Sequence, residues 1–200
     1  MKIGILGGSF DPIHNGHIHM AVSAYRGFSL DQVWLVPAGH SPNKAEEKMT
    51  SADKRLRMCE IASLSYPWLI SCPLEVESGE RSYTYRTLQK LTKRYPLHRF
   101  SFIMGGDSLD YFETWNHPEE IAALARILVV PRDTFSDSRL KEKIRFLKNQ
   151  FSCEISIVPC TKYPVSSTEI RKRFLEGKPQ AGDFPPGVLD YILKNHLYGQ

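Results

Sequence analysis

The sequence predicts an α/β fold, a doubly wound parallel sheet with helices on both faces, and three observations carry that prediction. Short aliphatic or aromatic segments bounded by Gly, Pro or polar residues recur at Lys2–Leu6, Val33–Pro37, Phe100–Met104, Ile127–Val130 and Ile155–Val158. Stretches with helical spacing lie between them, and such alternation favours a parallel sheet covered on both sides. No internal repeat, low-complexity tract or Gly/Ser linker interrupts the pattern, so residues 1–200 read as one domain.

Each helix has its own signal. Ser51–Leu64 carries Leu56, Cys59 and Ala62 three residues apart, with Ser51 placed to cap the start. Thr84–Tyr95 and Asp137–Lys148 are further helix candidates. Near the end, Val188, Leu189, Ile192, Leu193 and His196 form one face of a helix that starts after Pro185-Pro186. The stretch from Pro179 to Gly187 reads as the loop leading into it.

Composition excludes several classes. With 42% hydrophobic and 24% charged residues in 200, the chain has the balance of a folded globular protein. Its longest aliphatic run, Ile127–Val130, suits a buried strand and is far too short to cross a bilayer. Met1–Gly8 lacks the apolar length and cleavage site of a signal peptide, which implies a cytoplasmic protein. The four cysteines form no C-x-x-C pair and read as small buried hydrophobes in a reducing compartment. The net charge of +4 is spread among mixed signs. That suits a small anionic substrate rather than a nucleic-acid polymer or a membrane.

The first strand runs into Gly7-Gly8-Ser9-Phe10-Asp11-Pro12-Ile13-His14-Asn15-Gly16-His17. Glycines after a strand let the backbone approach a phosphate and donate N–H groups to it. Asp11-Pro12 reads as a turn, and Asn15 as the cap of a helix beginning near Gly16. His14 and His17 would then flank a helix N-terminus, which already favours an anion. Two histidines three apart could instead be metal ligands or incidental turn residues, but His19 and Asp11 complete no familiar zinc spacing. The spacing also departs from the G-x-G-x-x-G of dinucleotide-binding oxidoreductases. The run from Gly8 to His17 resembles the H-x-G-H motif of the nucleotidyltransferase superfamily. With His at position 14, it resembles the nicotinate-nucleotide adenylyltransferases more than the pantetheine-phosphate adenylyltransferases.

A second motif lies far along the chain, at Val165-Ser166-Ser167-Thr168-Glu169-Ile170-Arg171. Ser166 and Glu169 make the pattern of a capping box, and Gly177 ends the helix. Alone that is only a helix start. Arg171, one turn in beside hydroxyls and open N–H groups, makes it a candidate polyphosphate clamp. The segment resembles the I-S-S-T-x-I-R motif of the same superfamily.

The same resemblance extends to the segments between the motifs. Val36–Lys44 is similar to the family loop ending in P-P-H-K, with Lys44 matched and Asn43 in place of His. Ser82–Leu88 resembles S-Y-T-x-D-T-L, with Arg86 in place of Asp. Phe102–Leu109 and Trp115 resemble a strand followed by G-x-D-x-L and a Trp, and Arg132 a further basic position. Taken singly, Trp115 could be core, Asp107 a turn residue and Thr84 a helix cap.

The resemblance implies a Rossmann-like nucleotidyltransferase fold and transfer of the adenylyl group of ATP to nicotinate mononucleotide in NAD biosynthesis. It implies His14, His17, Lys44 and Arg171 as catalytic. It places ATP against Gly8, Ser9, Phe10, Gly105, Asp107 and Ser166, Ser167 and Thr168, and the mononucleotide against Gly8, Ser9, Lys44, Tyr83, Thr84, Trp115 and Arg132. Mg²⁺ would accompany ATP, held mainly by substrate phosphates and water, with no dedicated protein site. A homo-oligomer is compatible with all of this. The alternatives are another phosphate acceptor, such as nicotinamide mononucleotide or pantetheine phosphate, a non-catalytic nucleotide-binding module, and a zinc protein using His14, His17 and His19.

Overall fold

The strand patterns assemble side by side in one sheet. The computed structural model describes residues 1–40, 49–131, 137–161 and 163–199, and of residue 137 the backbone alone. Among these, β1 is Lys2–Gly8, β2 Gln32–Pro37, β3 Leu69–Ser71, β4 Arg99–Gly105, β5 Arg126–Val130 and β6 Ile155–Ile157. The order is β3-β2-β1-β4-β5-β6, and every neighbouring pair is parallel. The direction of winding reverses between β1 and β4, where open sheets of this kind bind ligands beyond their carboxyl ends.

The helices are α1 (Asn15–Gly27), α2 (Ala52–Ser63), α3 (Leu74–Ser78), α4 (Thr84–Arg94), α5 (Gly106–Asp110), α6 (Pro118–Leu124), α7 (Asp137–Phe151), α8 (Ser167–Leu175) and α9 (Val188–Lys194). Side-chain alternation along the strands sorts them onto two faces. Leu6, Val33, Leu35, Ile103, Leu128 and Val130 share a core with α1, α2, α8 and α9. Ile3, Ile5, Trp34, Val36, Phe102 and Val129 share the other with α4, α6 and α7. Both faces are therefore covered, as the near-continuous apolar strands require.

Several local expectations are corrected. β1 continues through Gly7 and Gly8, whose partners are Val36 and Pro37, so the loop starts only at Ser9. Ser51 stands at the α2 N-cap, yet its side chain makes no capping hydrogen bond. The last helix stops at Lys194, before His196. Of the cysteines, all free thiols, only Cys59 is fully buried. β3, α3, α5 and α6 have no counterpart in the sequence reading, because segments of three to seven residues carry little periodicity. No helix among the described residues is long and apolar enough to cross a membrane.

Candidate active site

The N-terminus of α1 is built by its two histidines. His14, not Asn15, is the N-cap: its Nδ1 accepts from the Gly16 N–H at 3.1 Å. His17 completes a reciprocal box by accepting the His14 N–H at its own Nδ1, 3.3 Å away. The rings stack at 3.8 Å, and the edge of Phe10 packs against His17 at 4.9 Å. Accepting at Nδ1 fixes the neutral tautomer with the proton on Nε2, so each ring is set as a donor there. Glycine at 16 is part of the same device, since a Cβ would meet the His14 ring at 2.9 Å. Asn15 instead donates to the carbonyls of Gly182 and Phe184 at 2.8 and 3.2 Å, tying α1 to the segment before α9.

The N-terminus of α8 is braced onto this loop. Ser166 caps α8 by accepting from the Glu169 N–H at 3.2 Å. The Glu169 carboxylate turns to Arg173, 3.8 Å along the helix, and does not complete the expected box. Ser167 Oγ donates to the Pro12 carbonyl at 3.0 Å, and Arg171 Nη1 to the Asp11 carbonyl at 2.6 Å. Two of the groups expected at the phosphates therefore also hold the Asp11-Pro12 backbone. Asp11 is itself buried, and its Oδ1 accepts from the Tyr198 hydroxyl at 2.7 Å. Burial pushes that hydroxyl's pKa up, which keeps it a donor.

Beside this loop lies a cavity of about 560 Å³. Gly8 and Ser9 form one wall, Tyr83 and Thr84 a second, and Trp115 a third. Thr84 opens α4, whose N-cap is Tyr83 with no side-chain capping bond, so the first N–H groups face no side-chain acceptor of their own cap. Trp115 joins both roles weighed for it. It lines the cavity and also packs on Phe102 and Phe112, with ring centroids 6.0 and 5.7 Å away. Trp115→Ala is therefore expected to raise KM for the mononucleotide while sparing KM for ATP. It should also lower the melting temperature by several degrees, because a large aromatic truncated from the core costs about 3 kcal/mol. Equal damage to both KM values would count against placing Trp115 at the mononucleotide.

His14, His17, Ser166, Ser167, Thr168 and Arg171 stand outside the cavity wall, at the starts of α1 and α8. The Phe10 ring is 1% exposed and belongs to the core, so any ligand contact falls to its backbone. Gly105 ends β4, and Asp107 is half-buried in the first turn of α5, at the switch point. Lys44 and Arg132 lie outside the described residues, as does Asn43. His19 Nε2 donates to the Thr161 carbonyl, 2.6 Å away, and its ring stacks on Tyr163, so the three histidines form no common ligand set. Among the described residues, the one cluster with metal-ligand spacing is exposed His117 and Glu119 with half-buried Glu120, on and before α6.

Two residues escaped the sequence reading. Arg55, 2% exposed, donates to the carbonyls of Thr50, Ser9 and Gly39 at 2.8, 2.7 and 3.0 Å. Its signal was present, since Arg55 shares the buried stripe of α2 with Met58, Cys59 and Ala62. Glu75 of α3 lines the cavity and accepts from Thr87 Oγ1 at 2.5 Å. No sequence pattern marked it.

A cytidylyltransferase-like family model matches residues 5–173. A probable nicotinate-nucleotide adenylyltransferase of Shewanella pealeana is 35% identical, with 99% of this chain and 96% of that one aligned. One from Clostridium botulinum (strain Loch Maree) is 36% identical, over 97% of each. The chain belongs to the nicotinate-nucleotide adenylyltransferase family. Nicotinic acid mononucleotide adenylyltransferase of Plasmodium falciparum, solved with APC and with NaAD, has the same fold. Its TM-score is 0.77 at 24% identity, covering 98% of this chain and 96–97% of that one. Against the S-Y-T-x-D-T-L pattern of the family, Arg86 is the departure the structure explains. Its guanidinium lies over the rings of Tyr83 and Tyr85 at 5.4 and 5.7 Å, and its Nε donates to the Tyr85 hydroxyl at 2.9 Å.

Proposed function

We propose that the chain, acting as one nucleotidyltransferase domain over residues 1–200, transfers the adenylyl group of ATP to nicotinate mononucleotide. The products are pyrophosphate and nicotinate adenine dinucleotide, a precursor of NAD. The observation that carries this reading is the bracing of the α1 and α8 N-termini onto one loop, beside the cavity lined by Tyr83, Thr84 and Trp115. Two helix starts, the side chains of His14, His17 and Arg171 and the hydroxyls of Ser166, Ser167 and Thr168 suit a polyphosphate. At about 560 Å³ the cavity has the size of a small-ligand site.

In this reaction an oxygen of the mononucleotide phosphate attacks the α-phosphorus of ATP. A new P–O bond forms as the bond to the β-phosphate oxygen breaks, and pyrophosphate leaves. The nucleophile is already an anion, so the protein's work is alignment and stabilisation of charge. His14 and His17 offer Nε2–H to the α- and β-phosphates, and Lys44 positions phosphate. Arg171 and the Ser166–Thr168 amides take the leaving pyrophosphate. Gly105 and Asp107 hold the ATP ribose, the Gly8–Phe10 backbone approaches both substrates, and Arg132 supports the mononucleotide.

Mg²⁺ fits as a companion of ATP. Around the two helix starts stand N–H donors, hydroxyls and a guanidinium, while the Asp11 carboxylate is buried on Tyr198 and that of Glu169 turns to Arg173. Phosphate oxygens and water would hold the ion, which supplies charge neutralisation on the phosphates.

A pyrophosphate-release assay with ATP and each of nicotinate mononucleotide, nicotinamide mononucleotide and pantetheine phosphate tests the reading. We expect kcat/KM to favour the nicotinate compound by about tenfold to a hundredfold over the amide. A carboxamide brings donors against backbone donors, at roughly 1–3 kcal/mol for each group left unpaired. No release with either pyridine nucleotide, or a preference for pantetheine phosphate, would overturn it. Because Arg86 is spent on its tyrosines at the surface, Arg86→Asp should leave the acid-to-amide ratio within about twofold of wild type. A collapse of that ratio would place its charge at the pyridine end.

A further inference from the structure

Glu75 lines the cavity in which, on the proposed reaction, the pyridine carboxylate of the mononucleotide meets the start of α4. Glu75 and the α4 start contribute to the same cavity, and Glu75 Oε1 accepts from Thr87 Oγ1 within the first turns of α4. The surrounding framework is tight: Ser78 Oγ donates to the Glu75 carbonyl at 3.0 Å, and a Cβ at Gly39 would meet that carbonyl oxygen at 2.3 Å. Ser82 bridges the same region, its Oγ accepting from the Gly39 N–H at 2.9 Å and its N–H donating to the His40 carbonyl at 2.9 Å. The backbone that carries Glu75 is thereby fixed, and Thr87 holds its carboxyl.

We propose that Glu75 is a specificity-determining residue whose protonation state sets the choice between a pyridine carboxylate and a pyridine carboxamide. This rests on the mononucleotide reading of the cavity. As a neutral acid, Glu75 adds no charge beside the incoming carboxylate and can donate its O–H toward it. As a carboxylate, it repels that anion and accepts from a carboxamide NH₂. Burial pushes the Glu75 carboxyl above the ordinary glutamate range, while its hydrogen bonds from Thr87 and Ser82 pull the other way. Of the charged groups facing it, two are engaged elsewhere. Lys90 of α4 pairs with Glu80 at 3.0 Å, and Arg55 of α2 is held by three carbonyls. Arg81 shares the cavity wall, and the Cys72 thiol beyond β3 is pushed up by its own burial.

The test measures kcat/KM for nicotinate and nicotinamide mononucleotides from about pH 5 upward, starting just above the ordinary glutamate pKa. Taking the ratio of the two substrates cancels ionisation of ATP and of the shared phosphate. In the wild type the acid-to-amide ratio should fall by about tenfold as Glu75 ionises, the size of one unfavourable buried charge contact. Glu75→Gln keeps an acceptor for Thr87 and carries no charge, so its ratio should be high and flat with pH, at a melting temperature no lower than the wild type's. A flat ratio in the wild type, or an equal fall in Glu75→Gln, overturns the proposal while leaving the adenylyltransferase reading intact. Absence of turnover on both nucleotides in the wild type would instead remove that reading, and this one with it.

Discussion

His17→Ala is expected to lower kcat by roughly a hundredfold or more, the usual cost of losing a placed donor to transition-state charge. The ring's donor role follows from its other nitrogen, since Nδ1 is committed to the His14 N–H at 3.3 Å. The same bond gives the substitution a second, smaller effect. Removing half of the reciprocal cap should cost about 0.5–2 kcal/mol. For a chain of this length that is a fall of a few degrees in melting temperature, at about 2–4 °C per kcal/mol. Rate and stability should thus separate clearly: a large loss of kcat in a protein that remains folded at assay temperature. Near-wild-type kcat would remove His17 from the phosphates, whatever the melting curve shows.

The doubly wound sheet was legible because each central strand is a continuous apolar run between breakers, as Ile127–Val130 shows. The two motifs were legible because their residue types are rare at such spacing, and they meet in space through Ser167 on Pro12 and Arg171 on Asp11. What stayed hidden was how the motif residues are held. Nothing in the spacing of His14 and His17 says that the first is the cap and the second its reciprocal partner, because Asn15 is by propensity the better cap. Asn15 was drawn off by carbonyls of Gly182 and Phe184, more than a hundred and sixty residues away. Glu75 depends likewise on a tertiary meeting of α3 and α4 that neither helix announces. Lone polar residues owe their roles to such long-range partners, and periodicity cannot find them.

Arg55→Met should have the largest effect on stability. The methionine fills much of the arginine's volume on the buried stripe of α2 but donates nothing. The carbonyls of Ser9, Gly39 and Thr50 would then lose their guanidinium partner at once. Each buried acceptor left unsatisfied costs about 1–3 kcal/mol, and such losses within one network are not additive. A total of about 3 kcal/mol or more is expected, which translates to roughly 10 °C in melting temperature. Burial lowers the pKa of this guanidinium and neighbouring Asp11 raises it, yet an arginine keeps its charge across any workable pH. The effect should therefore be constant with pH. Arg55→Lys should recover only part of the stability, because one ammonium cannot reproduce a planar fork aimed at three carbonyls. The kinetic signature is distinct too. In the proposed reaction both substrates approach the loop of Ser9, so KM should rise for ATP and the mononucleotide together, unlike the one-sided effect expected of Trp115→Ala. An Arg55→Met protein that melts with the wild type would mean the three carbonyls find other donors, and the bracing assigned to Arg55 would be wrong.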